Sequence, residues 1–365
     1  MKVASVGIRG AGLSGLSVAR ELLRCEPDLA ITIFDTRPRL PHPPRTFCFF
    51  RPRNYPPSSR KAHSWNSVIF RGRSFERRLD VSRRPYTMIE GDDFFSSILR
   101  ELEEGAVQFR WDLAAVEIHG NSIEANNETI PFDVVIDAAF EAKSANSALW
   151  QSFGGVWITM EDPAFDPSAA ILMDLEESSA EAPVSFLYIL PTSERTALVE
   201  HTTFSPSPMA KEHHLERCFD WLERHHPGMK QPGGTEYGRI PMGLQRSLNH
   251  GRRVVGSLAG VVRPATGYAF LRAQEHAREV ALHVLGRGDV PQHPYPRWLE
   301  TADSLFLRAL RNAPLEGRHI MERLLSHARG DSLVAFLSGD VGLLDALSVW
   351  LSVPTYTMIR SLLRV

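Results

Sequence analysis

The 365-residue sequence predicts an α/β fold in which a parallel sheet is joined to a mixed α+β domain and a helical C-terminal part. Three observations carry this. The chain opens as strand, glycine-rich turn, helix and strand. Its middle holds short β-branched and aromatic runs at the spacing of a sheet, and from Arg297 onward its apolar residues recur at helical period.

Val3 to Ile8 reads as a short strand, and Arg9-Gly10-Ala11-Gly12-Leu13-Ser14-Gly15 as a tight turn. The helix that follows repeats Leu16, Ala19, Leu22 and Leu23 on one face, and Leu29 to Phe34 is a second strand ending in Asp35. Such a βαβ opening implies a parallel sheet covered by helices. Arg37 to Pro57 holds seven prolines and five arginines and is expected to be loop, because proline removes ladder donors and fixes φ. Asp92 to Glu104 is expected to be helical, and Phe132 to Ala138 has the β-branched run of a buried parallel strand.

Val156 to Met160, Ala169 to Met173, Val184 to Leu190 and Thr196 to His201 are spaced as an antiparallel sheet would need, which predicts a separate domain. The chain is expected to return to the first domain at Arg252 to Leu258 and enter a helix from about Tyr268 to Leu285. The predicted division is therefore 1–62, 86–144 and 249–290 for a discontinuous first domain, 63–85 and 145–248 for the second, and 291–365 for the helical region. Leu305, Phe306, Leu310, Leu324, Leu325, Phe336 and Leu337 in that last region read most simply as core, with a membrane-facing surface as the sharper alternative.

A net charge of −2 excludes a wholesale polyanion binder, and no nucleic-acid partner is expected. The charges are unevenly placed: Arg37 to Arg84 carries thirteen Lys/Arg against Glu76 and Asp80, so one surface is expected to be basic. Cys25, Cys48 and Cys218 form no CxxC pair, so neither a disulfide framework nor a structural zinc site is supported, and a reducing cytoplasm fits. No signal peptide is expected. The longest apolar run, Ala346 to Ile359, is too short to span a bilayer. His213-His214 with Cys218, and His225-His226, lie in a charged helical stretch without a second ligand cluster; solvated positions are expected, and no metal.

Gly10-x-Gly12-x-x-Gly15 permits a tight turn, close backbone approach to a pyrophosphate and close helix packing, while the helix N-terminus offers free N–H donors. With Asp35 twenty residues after Gly15, placed to accept from a ribose hydroxyl, the unit predicts dinucleotide binding. The motif alone does not separate FAD from NAD. A later element, Gly260-Val261-Val262-Arg263-Pro264-Ala265-Thr266-Gly267-Tyr268, leads into a helix whose N-terminal donors suit the pyrimidine end of a reduced flavin, and so favours FAD.

The ordered set of motifs resembles the bacterial and plant lycopene cyclases. Besides the glycine turn it comprises Phe132 to Asp137, Ala148 to Gly154, Ile171-Leu172-Met173-Asp174, Phe186-Leu187-Tyr188-Ile189-Leu190-Pro191, Leu198-Val199-Glu200-His201-Thr202, and Gly260 to Tyr268. Bacterial members often carry Glu-Asp where this chain has Glu200-His201.

The resemblance implies a flavin-hydroxylase-type fold and non-covalent FAD held by Gly10, Gly12, Gly15, Asp35, Asp137, Pro264, Thr266, Gly267 and Tyr268. It also implies a catalytic glutamate at Glu200, whose strand packs apolar members inward. Asp174 reads two ways, as an acid assisting Glu200 or as a surface strand-end residue. The implied reaction is cyclisation of the ends of an acyclic carotenoid by protonation, with reduced FAD beside the cation and NAD(P)H only as reductant. A lipophilic polyene substrate implies peripheral contact with membrane lipid, in which the basic segment and the apolar tail helices are the candidates. A flavin monooxygenase or a prenyl-chain reductase is the alternative on the same fold; a non-enzymatic carotenoid carrier or sensor is a third reading.

Overall fold

The computed structural model describes residues 3–39, 45–52, 55, 62–140, 147–175, 184–228, 230–243, 253–291 and 295–354. Arg53, Arg60 and Lys61 of the basic segment, Glu176 and Glu177 beside Asp174, Arg252, the expected boundaries at 144/145 and 248/249, and the end of the apolar run 346–359 lie outside the described residues.

The elements run β1 (Ser5–Arg9), α1 (Leu13–Cys25), β2 (Ala30–Phe34), β3 (Thr46–Phe50), β4 (Ala62–Trp65), β5 (Ser67–Gly72), β6 (Phe75–Asp80), β7 (Tyr86–Glu90), α2 (Gly91–Glu104) and β8 (Gln108–Arg110). Next come β9 (Val116–His119), β10 (Ser122–Ala125), β11 (Glu128–Pro131), β12 (Val134–Asp137), β13 (Leu149–Met160), β14 (Ala169–Asp174), β15 (Ser185–Pro191), β16 (Thr196–Ser205) and α3 (Lys211–His225). The chain closes with β17 (Lys230–Met242), β18 (Arg253–Val254), α4 (Phe270–Val284), α5 (Arg297–Asn312), α6 (Pro314–His327), α7 (Gly330–Ser338) and α8 (Leu343–Ser352).

The first sheet has the order β18-β12-β1-β2-β8, all parallel, as the opening βαβ unit and the β-branched β12 predict. Val6, Ile8, Val134 and Ile136 of its strands bury one face against Leu16, Ala19 and Leu22 of α1 and Ala277, Val280 and Ala281 of α4. The other face, through Phe34 and Val135, packs on Ile118 and Ile123 of the β9–β11 meander. The segment 37–57 is not loop throughout. Thr46-Phe-Cys-Phe-Phe50, a proline-free aromatic run, pairs antiparallel with β7, and Phe47 and Phe49 stack on Phe270 at 4.8 and 5.0 Å between ring centroids.

The second large sheet, β17-β13-β16-β15-β14-β5-β6, is mixed rather than purely antiparallel, because β14 and β5 run parallel. One face packs on α5–α8 through Phe186, Leu190, Leu307, Leu310, Leu324, Leu325 and Leu337, while the other packs on α3 through Val156, Val199, Cys218 and Trp221.

A buried ion pair fastens the helical region to the segment before α4. Arg263 Nε and Nη2 both donate to Asp303 of α5 at 3.2 Å, the guanidinium lies 4.5 Å from the Phe336 ring centroid, and neither charged side chain is more than 2% exposed. The same segment closes on itself, with Arg263 N donating to Tyr268 O at 3.0 Å and Gly267 N to Arg263 O at 2.9 Å. Removing one member of such a pair strands the other charge out of water. Asp303→Ala should therefore lower unfolding free energy by about 3–5 kcal/mol in urea titrations, and Arg263→Met with Asp303→Leu should recover most of it. A loss below about 1 kcal/mol for Asp303→Ala would contradict the anchoring role.

Candidate active site

Two cavities share a wall at Arg45. The first, about 900 Å³, opens at the carboxyl ends of β1 and β2 and is bounded by Gly10, Gly12, Asp35, Arg37, Arg45 and Ala138. Ligands of open α/β sheets bind at this edge. Gly10 takes φ +102°, and a Cβ on Gly15 would fall 2.0 Å from the Gly10 carbonyl oxygen, so both glycines are required by the turn itself. Gly12 differs. A Cβ there meets no neighbouring protein atom closer than 4.0 Å, so its absence keeps space for a ligand rather than for the chain. Gly12 also caps α1 without a side-chain bond, leaving the first-turn N–H groups for an anion.

Asp35 is more engaged than the sequence suggests. It accepts from Ala11 N at 2.6 Å, Arg37 N at 2.8 Å, Arg37 Nε at 2.9 Å and Arg37 Nη2 at 2.6 Å. Four bonds fill the roughly four lone-pair positions of a carboxylate, so a ribose hydroxyl reaches Asp35 only by displacing Arg37. Burial pushes this carboxyl up, but the Arg37 bonds outweigh it and hold it below the usual range. Asp137 accepts from Arg9 Nε at 2.9 Å and Nη2 at 2.6 Å; it does not line the cavity but fixes Arg9, which does.

The second cavity, about 700 Å³, lies among β3, β7, β13, β15, β16, β17 and the turn before α4. Thr266, Gly267 and Tyr268 line it, whereas Pro264 lines neither cavity. Gly267 takes φ +72°, and a Cβ there would sit 2.2 Å from Gln151 Oε1. Gln151 Oε1, Thr266 Oγ1 and Arg45 Nε are buried without a hydrogen-bond partner among the described residues. Buried polar atoms are seldom left so, and these three sit where a bound group would satisfy them. An uncapped glycine turn, cationic Arg45 at the junction and orphaned polar atoms at the far end fit an extended FAD-type cofactor.

Glu200 of β16 lines this cavity, and His201, one residue on, lies on the opposite face as strand alternation requires. The carboxyl is not alone. In the register of β17-β13-β16, Gly155 stands between Glu236 and Glu200, and a Cβ on Gly155 would lie 3.3 Å from both their side chains. That missing side chain lets the two carboxyls come within hydrogen-bonding reach. Thr202 Oγ1 donates to Glu200 Oε1 at 3.2 Å, Thr46 Oγ1 donates to Glu236 Oε1 at 3.1 Å, and Glu236 Oε2 has no donor among the described residues. Burial first, and the neighbouring Glu236 second, push the Glu200 carboxyl well above the usual range. Burial also raises the Tyr86, Tyr188 and Tyr268 phenols, so they face the cavity as neutral aromatic groups.

Asp174 is not brought to this site. It is buried at the end of β14 with Arg71 at 3.8 Å, and it does not line the cavity. The expectation of solvated histidines also fails for His214 and Cys218. Both are fully buried because α3 packs on the back of the sheet, where His214 Nδ1 meets His201 Nδ1 at 3.0 Å and Nε2 meets Ser152 Oγ at 3.2 Å. Burial lowers His201 to about 2 and His214 to about 4, so this pair is neutral at pH 7. Sequence reasoning missed Arg45, Gly155 and Glu236. Arg45 is one arginine among many, and the run Thr235-Glu236-Tyr237-Gly238-Arg239-Ile240 declares no strand until its pairing with β13 is known.

Comparison with known proteins places this geometry. The chain is 25% identical over 321 residues to the chloroplastic lycopene beta cyclase of Nicotiana tabacum, covering 78% of this chain and 61% of that protein. It is 26% identical over 221 residues to the enzyme of the same name from Solanum lycopersicum, covering 54% and 44%. It thus spans about half of the length of these relatives. Among solved structures it resembles a geranylgeranyl bacteriochlorophyll reductase-like protein of Thermoplasma acidophilum, with TM-score 0.60, 14% identity and 98% of both chains covered. It also resembles the flavin-dependent monooxygenase PieE in complex with FAD and substrate, with TM-score 0.60, 13% identity and 99% and 72% covered. The fold is thus that of the flavin-dependent monooxygenases and halogenases. The family model described as lycopene cyclase protein matches residues 6–363, and the chain belongs to the lycopene cyclase family.

Proposed function

We propose that this chain closes rings on the ends of an acyclic carotenoid without net oxidation, with Glu200 delivering the proton. The observation that carries this reading is a half-buried carboxyl, raised well above its ordinary range by desolvation, lining an aromatic cavity beside unsatisfied polar groups. A carboxyl of that kind is still protonated near neutral pH and is a strong enough acid only for a substrate pressed against it. Glu200 would protonate a terminal double bond; the internal double bond attacks the resulting tertiary cation, and loss of a ring proton ends the reaction. Tyr188, Tyr237 and Tyr268 line the space where positive charge would develop.

FAD would lie along both cavities, its pyrophosphate at the Gly10–Gly15 turn and Arg45, its ring end at Gln151, Thr266, Gly267 and Tyr268. When bound and reduced, it supplies a fixed negative charge in a water-poor site, where charge counts far more than in water. NAD(P)H would serve only as reductant.

Uptake of the polyene from lipid is the proposed role of the helical region. A small apolar chamber lined by Phe306, Met321, Leu324 and Phe336 shares Tyr188, Thr266 and Tyr268 with the reaction cavity, and so extends it toward the tail helices. Beyond it, α8 exposes Leu343, Leu344, Leu347, Trp350 and Leu351, with Leu344 at 83%. Among the described residues no single helix is long and apolar enough to cross a membrane, although α7 and α8 taken together, bent by 108°, are so by length and composition. The cytoplasmic side of a membrane is the proposed location.

Three outcomes test this reading. Glu200→Gln should bind FAD yet lose cyclisation of lycopene by at least ~10²-fold, and near wild-type product would remove Glu200 from the mechanism. Turnover should require reduced flavin, accept dithionite in place of NAD(P)H and consume no stoichiometric nicotinamide; loss of one NAD(P)H and one O₂ per product would establish the monooxygenase alternative instead. Leu344→Asp with Leu351→Asp should weaken partition onto phospholipid vesicles by at least ~10-fold, since each exposed leucine is worth about 1.5–3 kcal/mol when buried. Unchanged partition would rule out α8 as the contact.

A further inference from the structure

We propose that Glu236 is the proton-holding partner of Glu200, so that the two carboxyls share one proton across Gly155 and reset themselves within each turnover. This deepens the cyclase reading and rests on it for the reaction, but the sharing itself stands on geometry. Two ionised carboxylates do not tolerate this proximity in a site where Glu236 is 2% exposed and the cavity is walled by aromatic rings.

The arrangement also decides where the proton resides. Burial lifts Glu236 as well, to about 6, but its Oε1 takes the Thr46 hydroxyl at 3.1 Å, the Thr46 backbone N–H is a further donor, and the Arg45 guanidinium adds a favourable charge. Among the described residues, Glu200 has one donor besides its carboxyl partner, the Thr202 hydroxyl. The anion therefore belongs on Glu236 and the proton on Glu200, where the Glu200 O–H finds its acceptor in Glu236 Oε2, which otherwise has no donor among the described residues. The other ionisable groups around the pair leave this assignment intact. Cys48 on β3, Tyr86 on β7, Tyr188 on β15 and Tyr268 before α4 are raised by burial and stay neutral. Arg45 and Arg239 line the cavity as cations, and His201 and His214 behind the sheet are neutral.

The proton balance follows. Breaking the Glu200 O–H bond and forming a substrate C–H bond leaves two carboxylates side by side, a state that strongly favours regaining a proton. When the ring cation loses its proton, a different C–H bond, on the newly closed ring, breaks and the Glu200 O–H bond re-forms. No oxidant, reductant or external base is needed. Glu236 does not line the cavity, so it acts through Glu200 as a positioning residue.

Glu236→Gln removes the like charge while keeping the shape. In the FAD-reconstituted protein, the infrared C=O band of a protonated carboxylic acid, followed against pH, should persist to neutral pH in the wild type, vanish in Glu200→Gln, and titrate at least about one pH unit lower in Glu236→Gln. The alkaline limb of lycopene cyclisation should move down with it, and the rate at its optimum should fall by at least ~10-fold. Gly155→Ala, which wedges a methyl between the carboxyls, should shift the band in the same direction and serves where Glu236→Gln does not fold. An unmoved band and an unmoved alkaline limb in a folded Glu236→Gln or Gly155→Ala protein would overturn the proposal. A shifted band in a wild-type protein that never cyclises lycopene would support the shared proton and overturn the cyclase reading instead.

Discussion

Two carboxyl groups pressed together, one buried and one half-buried, do not readily both carry charge, and the middle of this molecule is built around that constraint. The cost of burying Glu200 and Glu236 is borne by a seven-stranded sheet whose two faces are covered, by α3 on one side and by the C-terminal helices on the other. Glycine at position 155 eases the approach, since a Cβ there would press within 3.3 Å of both the Glu200 and Glu236 side chains and 3.0 Å of Leu198. The consequence is an acid that keeps its proton at a pH where an exposed glutamate would have lost it.

In the proposed reading, the rest of the fold brings a cofactor and a lipophilic substrate to that acid. The parallel sheet supplies the phosphate end, and Arg45, at the start of β3, stands between the two cavities. The segment before α4 supplies the far end and is held in place by Asp303 on α5, while Phe336 of α7 packs on the same arginine. The helices that expose apolar surface are thus mechanically joined to the turn that lines the reaction cavity. Because either charge would be stranded out of water without the other, the pair fastens this joint.

Local sequence carried the architecture well where a signal is short-range. The glycine turn, β12, α2 and α4 follow from period and turn chemistry, whereas the spacing that implies an antiparallel second sheet does not show that β14 runs parallel to β5; the motif that singles out Glu200 lies on a strand lining the second cavity. What local sequence hides depends on pairing between distant strands. Glu236 meets Glu200 only because β17 and β16 both flank β13, and Gly155 has meaning only in that register. Thr46 to Phe50 was hidden by the prolines around it, although the run itself has strand composition. Asp35 kept its place in the motif, yet its acceptor capacity is taken by Arg37, two residues away, a contact that no spacing rule reveals. His214 and Cys218 sit in a polar-looking helix whose inner face only the packed sheet identifies.

The central claim is that Glu200 moves a proton into the substrate and that the product is an isomer of it. Single turnover of lycopene by reduced enzyme pre-equilibrated in D₂O measures this directly. The account predicts product carrying a single solvent deuteron per ring, at the carbon protonated in the first step, with no uptake of oxygen. Product without deuterium, or product heavier by oxygen, would contradict it.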